Sequence, residues 1–544
     1  MENLTRLDSL AMRPRSTSLL LAFLYLLPAF GCAGGQSGTT AGGTGGQDSS
    51  HGSGGAAPST GGTPGGTATG GTGTGGTGTG GTATGGTATG GTSSGGTSTG
   101  GAPAVSGTGG TGGGTGGSGG STAPSGGKGG RSSSGGLGGG GTVGQGDLGG
   151  DTGKAKWGLV ENPSAGCKIP ALPSVDSLTA NPKLPDPFTK MDGTRITDKG
   201  QWRCRREELL QEAYAFIYGD KPVVSEGAVT GSVSDSSISV QVNEGGKTTS
   251  FTASVKMNGA TAPAPAIIGF GGLAGMPVPS GVATITFSAI ETSGTSGAKK
   301  GPFYDIYGTN HPAGYLAAQA WQISRILDVL QKNPNVINPS KIGVTGCSRL
   351  GKGAFVAGVL DNRIALTMPF ESGMGGTVAL RLVEVLDPTD EWPYNAIGGV
   401  SRWLSEVQLG RFTTGGNARA DNTDKLPIDM HEMMGLIAPR GLYILDNPSS
   451  AISWADENSS WVTANVGKLI FEALGVGDHM TYESTSGSHC QWRSGYEVPL
   501  KAMIDKFLLG DASAKTGTVH TEGQGLANPK EHYDWTPPQL SGEL

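Results

Sequence analysis

Apolar and polar residues alternate with a period of two along two neighbouring runs of the chain. Ile238, Val240 and Val242 make the first run, and Phe251, Ala253, Val255 and Met257 the second. Gly245-Gly246 lies between them, so the pair predicts a β-hairpin. Short, unbroken apolar runs follow at Pro265-AIIGFGG, Lys341-IGVTG, Arg363-IALTMPF and Arg440-GLYILDN. Each has the length of a strand buried on both faces. Between them the spacing changes to a helical one. Helices are predicted from about Trp202 to Tyr218, Ala317 to Leu330, Arg349 to Leu360, Trp461 to Leu474, and Leu500 to Leu509, with Gly219 stopping the first. A glycine-rich loop is expected after the fourth helix, reaching His489. Strands alternating with helices predict an α/β fold with a mostly parallel sheet covered on both faces.

Two stretches fall outside this pattern. Leu19 to Phe30 is continuously apolar and follows Arg6, Arg13 and Arg15. It is too short to cross a bilayer and has the make-up of a secretory signal. It ends at Ala29-Phe30-Gly31-Cys32, which resembles a bacterial lipobox, so Cys32 is a candidate for lipidation; ordinary cleavage and secretion is the alternative. From Ala33 to Lys156 there is no aromatic residue and almost no large aliphatic one. Such a Gly/Thr/Ser segment cannot offset its ordering entropy by burial, so residues 33–156 are expected to form a disordered tether. About 120 residues of this composition would span roughly 60 Å. The expected division is therefore 1–32 signal, 33–156 linker and 157–544 catalytic domain. The product would be a cell-surface or outer-membrane lipoprotein, or a secreted protein.

Composition narrows the chemistry. The 544 residues carry a net charge of −6 with no basic stripe, which argues against nucleic-acid binding. The five cysteines, Cys32, Cys167, Cys204, Cys347 and Cys490, include no C-x-x-C pair of the kind a zinc site uses. With Cys32 set aside, the other four allow three pairings.

The reactive candidate is residues 345–353, TGCSRLGKG. Ser348 stands between a predicted strand and a predicted helix, as a nucleophile elbow requires, although the second glycine comes one residue late at Gly351. A base must accompany the serine. Among seven histidines, His489 is singled out by adjacency: Cys490 follows it directly, and Cys347 directly precedes Ser348. A Cys347–Cys490 bond would pin base beside nucleophile. His431 and His479 read more simply as structural histidines. Two carboxylates compete for the third position. Glu371 ends the strand after the nucleophile helix, and Asp446 ends a later strand; periodicity does not choose between them.

Gly346-Cys347-Ser348-Arg349, Lys352, Glu371-Ser372-Gly373 and His489-Cys490 together resemble the glucuronoyl esterases, the fifteenth family of carbohydrate esterases. FYDIYG, AWQISRILDVL and IDMHEMMGLIAPRGLYI support the likeness, which covers nearly all of 160–510. The resemblance implies an α/β-hydrolase, a three-layer sandwich that cleaves esters joining 4-O-methyl-glucuronic acid of xylan to lignin alcohols. It needs no cofactor, meets a membrane only through the possible lipid anchor, and is expected to act as a monomer. It implies Ser348 as nucleophile, His489 as base, and Glu371 rather than Asp446 as acid. It also implies disulfides Cys347–Cys490 and Cys167–Cys204, Arg349 as oxyanion partner, and Lys352 and Trp454 at the sugar. The family's sugar-binding glutamine and glutamate have no clear counterpart here; Glu384, Glu391 and Asn395 are the candidates. Glycines 269, 271 and 272 could shape the oxyanion pocket. An acetyl-xylan or other carboxylic esterase, and a glycan-binding protein with a decayed site, are the competing readings.

Overall fold

The computed structural model describes residues 160–288, 299–386, 403–412, 422–448 and 457–544. They form a ten-stranded sheet with the order β1-β2-β3-β5-β4-β6-β7-β8-β9-β10. The strands are β1 Val229–Val233, β2 Ser237–Glu244, β3 Lys247–Lys256, β4 Ala264–Phe270, β5 Ala283–Phe287, β6 Ile337–Cys347, β7 Leu366–Phe370, β8 Gly441–Asp446, β9 Met480–Ser484 and β10 Val519–Thr521. The first three strands and β5 pair antiparallel. Every pairing from β5 through β4, β6, β7, β8 and β9 to β10 is parallel. The hairpin falls where the alternation puts it: Gly245 and Gly246 take φ of 57° and 76°, the left-handed pair that a two-residue turn needs.

Successive residues of the central strands feed opposite cores, as a pleated strand must. Leu442 and Ile444 join the larger core, built with α1 (Gln201–Ala213), α2 (Pro302–Tyr307), α3 (Tyr315–Lys332), α4 (Arg349–Leu360) and the helices Met430–Ile437 and Glu457–Ala473. Tyr443 and Leu445 point the other way, with Leu366, Met368 and Phe370, against the helix Glu497–Ile504. The result is helix, sheet, helix: a three-layer α/β sandwich.

Three sequence expectations need adjusting. The stretch before His489 is not all loop, because Met480–Ser484 forms β9, paired on both sides. Its five residues are buried, yet Thr481, Glu483 and Ser484 hide it from an apolar pattern search. β1 and β5 are likewise extra strands, each short. The first helix, α1, is α-helical over Gln201–Ala213 and continues as a wider π turn over Tyr214–Tyr218, ending at Gly219 with φ 75°. Residues 1–159, and with them Cys32 and the tether, lie outside the described residues.

Candidate active site

β6 runs without a break into α4, and Ser348 is the single residue between them, at φ 59° and ψ −129°. This left-handed conformation is unfavourable for a residue with a Cβ and is held by its surroundings. The Ser348 N–H donates to the Phe370 carbonyl at 2.9 Å, and its own carbonyl accepts from Lys352 N at 3.0 Å. The glycines of the motif are steric requirements of the same turn. A Cβ on Gly346 would lie 2.6 Å from the Leu350 carbonyl oxygen, and one on Gly351 would lie 2.6 Å from that of Phe370. The late second glycine is therefore where α4 crosses β7. The turn leaves Ser348 partly exposed at the carboxyl ends of the parallel strands, beside the N-terminus of α4.

β7 ends one strand over. Glu371 follows it, fully buried, at φ 43°, with its N–H donating to the Leu445 carbonyl at 2.8 Å. Its carboxylate collects three donors. His489 Nδ1 donates to Oε2 at 2.5 Å, and the Cys490 backbone N–H donates to the same oxygen at 2.8 Å. Arg493 Nη2 donates to Oε1 at 2.9 Å. Burial pushes this carboxyl up, but the hydrogen bonds from His489, Cys490 and Arg493 outweigh it and hold Glu371 below its ordinary value.

Cys347 and Cys490 are joined, with Cα atoms 5.8 Å apart. The residue before the serine and the residue after the histidine are thus covalently tied. Cys167–Cys204 is joined as well. Cys347, Glu371, His489 and Cys490 are the group of possible metal ligands found among the described residues, but both sulfurs are consumed by the disulfide.

Asp446 ends β8 and is 1% exposed. Ser460 Oγ donates to its Oδ2, Tyr482 OH donates to the same oxygen at 3.4 Å, and Asn447 N–H donates to Oδ1 at 3.0 Å. No histidine or arginine donor reaches it among the described residues. Burial raises its pKa to about 7, with the nearby Glu371 charge adding to the rise. Lys352 is also buried. Its Nζ donates to the Ser372 carbonyl and sits 4.8 Å from the centre of the Trp403 ring. Burial lowers its pKa to about 7, opposed by Asp446.

The structure thus brings together Ser348, Glu371, His489, Lys352 and both cysteines of the second disulfide. Arg349 opens α4 on the exposed side of the elbow. His431 Nε2 pairs with the Pro185 carbonyl at 2.9 Å and His479 Nδ1 with that of Pro439, so both are structural. Trp454, Glu391 and Asn395 lie outside the described residues, as does the side chain of Glu384. Arg493 and Trp403 were not singled out by sequence; neither sits in a motif, and only the fold shows what they touch.

Chemically, an imidazole whose Nδ1 is committed to a buried carboxylate leaves Nε2 as a base. In a loop tied by Cys347–Cys490 to a serine on a strained elbow at a helix N-terminus, such a base can support acyl transfer.

Comparisons with known proteins point to one family. The family described as glucuronyl esterase, fungi, matches residues 240–475. The chain is 37% identical over 389 residues to the 4-O-methyl-glucuronoyl methylesterase of Hypocrea jecorina, an alignment covering 70% of this chain and 80% of that one. Its structure is similar to the glucuronoyl esterase catalytic domain of the same fungus, with TM-score 0.62 and 36% identity over 68% of this chain and all of that domain. It is also similar, with TM-score 0.61 and 35% identity over 67% of this chain and 97% of the other, to a serine-to-alanine mutant of the glucuronoyl esterase of Sporotrichum thermophile in complex with methyl 4-O-methyl-β-D-glucopyranuronate.

Proposed function

The chain belongs to the glucuronoyl esterase family, and from that premise we propose that it is a serine carboxylic-ester hydrolase acting on esters between (4-O-methyl-)glucuronic acid of xylan and lignin alcohols. The observation that carries this reading is the 2.5 Å bond from His489 Nδ1 to Glu371, in a loop tied by Cys347–Cys490 to the serine elbow. Ser348 Oγ attacks the uronoyl carbonyl carbon while His489 Nε2 takes its proton. Arg349 and the backbone N–H groups at the start of α4 hold the oxyanion, the arginine keeping its charge at every working pH. Collapse breaks the ester bond, and the imidazolium returns the proton to the leaving alcohol. Water, deprotonated by the same histidine, then releases the uronic acid from Ser348. Glu371 orients the imidazole and stabilises its charged form. Lys352, with the Trp403 ring beside it, supports a sugar-hydroxyl contact, and Trp454 and Glu391 are assigned to the same subsite.

The test is hydrolysis of methyl or benzyl glucuronate. Activity retained by Ser348→Ala would refute the mechanism, and faster release of acetate from acetylated xylan would replace the substrate.

Export belongs to the same reading: cleavage before Cys32, lipid on that cysteine, and residues 33–156 holding a monomeric domain away from a membrane. Mass spectrometry of the mature N-terminus checks it; an unmodified cysteine would reduce the reading to simple secretion. Among the described residues no helix is long and apolar enough to cross a membrane.

A further inference from the structure

The loop after His489 carries a cation that the triad scheme leaves unused. Arg493 is 9% exposed and lies four residues beyond the histidine. One nitrogen, Nη2, donates to Glu371 Oε1 at 2.9 Å and to the Ser488 carbonyl at 2.6 Å. Ser488 is the residue directly before His489. The other nitrogen, Nη1, donates to Tyr496 OH, whose hydroxyl in turn donates to the Asp446 carbonyl. The guanidinium also lies 5.4 Å from the centre of the Tyr496 ring. It therefore touches the acid and the backbone that aims the base, and reaches the end of β8 through the Tyr496 hydroxyl. The chain leaves room for this: a Cβ on Gly487 would fall 2.2 Å from Arg493 Nε.

Resting on the function proposed above, we propose that Arg493 is a positioning residue for the reaction. It clamps the Glu371 carboxylate and the backbone before His489 on one guanidinium, so that acid and base are held as a unit. The disulfide fixes Cys490, the Cys490 N–H and His489 hold one oxygen of Glu371, and Asn447 Nδ2 donates to the Gly487 carbonyl at 2.9 Å. The arginine adds a charged attachment between the Ser488 carbonyl and the opposite oxygen of the carboxylate from the one His489 uses. Its charge also matters. Glu371 faces His489 and Arg493 directly, Tyr496 lies behind the arginine, and Asp446 lies one strand over with Lys352 beyond it. Of the groups in direct contact with Glu371, Arg493 is the permanent cation.

The experiment uses the full chain, with Arg493→Met, Arg493→Lys and Gly487→Ala, on methyl glucuronate. Arg493→Met is expected to lower kcat on the order of 10²-fold with KM within about twofold, since a loosened base misses its geometry. An uncompensated carboxylate draws a proton onto the acid–imidazole pair, so the acidic limb of the pH–rate profile should rise by about one unit. Arg493→Lys keeps the charge and loses the planar fork, so it should restore the limb and only part of kcat. Gly487→Ala, which displaces the guanidinium without altering it, should change kcat in the same direction and by less. An Arg493→Met enzyme that keeps its acidic limb and loses activity only in step with its melting temperature would overturn the proposal. NMR titration of ¹³C-glutamate-labelled protein, with Glu371→Gln as the assignment control, reads the same clamp without turnover: the Glu371 midpoint should rise in Arg493→Met. If no glucuronate ester were hydrolysed, the functional reading would fall while this titration still decided Arg493; an unmoved midpoint would refute the clamp on its own.

Discussion

Two carboxylates end adjacent parallel strands of this sheet, and both are buried. Glu371 follows β7, Asp446 closes β8, and β7 and β8 are hydrogen-bonded neighbours. Their pKa values nevertheless move in opposite directions: that of Glu371 is lowered, and that of Asp446 is raised to about 7. Desolvation is the largest influence on both and acts upward on both. Two things differ: Asp446 lies deeper, and its donors are weaker. Glu371 receives an imidazole, a backbone N–H and a guanidinium; Asp446 receives two hydroxyls and one backbone N–H. Charged donors outweigh the desolvation of Glu371, whereas neutral ones do not offset the heavier desolvation of Asp446. Glu371 is built to stay anionic beside an imidazole, whereas Asp446 is built to be neutral or to share a charge with buried Lys352.

The largest effect that tests this contrast is catalytic. Glu371→Gln keeps the shape of the acid and removes its charge, so kcat should fall by about 10³- to 10⁴-fold, as loss of a triad acid does elsewhere. Asp446→Asn should lower kcat by no more than about tenfold, because none of its contacts reaches His489. Steady-state kinetics on a glucuronate ester measures both. Equal losses would mean that the two acids act together and that the contrast is false.

The disulfides offer the next test. Removing Cys347–Cys490 with a double serine substitution should cost about 5 kcal/mol of stability, the chain-entropy value for its sequence separation of 143. It should also cut kcat, because the His489 loop loses its tie to the Ser348 turn. Removing Cys167–Cys204, with a separation of 37, should cost about 4 kcal/mol and leave kcat unchanged in the folded enzyme. Denaturant unfolding read beside kinetics separates the two. An undamaged kcat without Cys347–Cys490 would show that Glu371 and Arg493 hold the loop unaided.

Sequence reasoning reached one of the two acid pockets only as far as a choice. Ser348 and His489 were legible because each touches a cysteine, and a pairing between those cysteines leaves little freedom. The α4 helix was legible to its last residue, since its apolar period begins at the elbow. Glu371 and Asp446 looked alike, because each is an acid after an apolar strand and the donors come from residues far away in sequence. Arg493 was invisible for the same reason: its partner Glu371 is 122 positions earlier. β9 was hidden by its own polar residues, which are buried through hydrogen bonds, among them Tyr482 OH to Asp446 and Ser484 Oγ to Glu457.

The pH dependence of stability gives a smaller effect of opposite sign for the two acids. Glu371 is lowered in the folded state, so its contribution is present above the ordinary glutamate value of about 4.3 and is lost as pH falls below it. Asp446 is raised to about 7, so the folded state keeps a proton that the unfolded chain releases at about 3.9. Its contribution is fully present below that value, declines as pH rises toward 7, and is gone above it. The stability gap between wild type and Glu371→Gln should therefore widen from pH 3 to about 4.5 and then hold level. The gap between wild type and Asp446→Asn should shrink from pH 4 to about 7. Urea midpoints across this range measure both, and slopes of the same sign would remove the distinction.

The smallest change is expected at Ser460. Its hydroxyl donates to Asp446 and lies 3.4 Å from Thr377 Oγ1, which is 3.0 Å from Ser372 Oγ; the Ser372 carbonyl accepts from Lys352. Ser460→Ala removes a neutral donor from an acid that burial already raises to about 7, so Asp446 should rise further while kcat changes by about twofold or less. KM for the glucuronate ester is the more sensitive readout, since the hydroxyl chain ends beside the lysine assigned to the sugar. A rise in KM at constant kcat would place the Asp446 pocket under substrate binding and leave the chemistry to Glu371. A tenfold fall in kcat would instead carry the influence of Asp446 across to the reacting groups, and the two pockets would have to be treated as one coupled site.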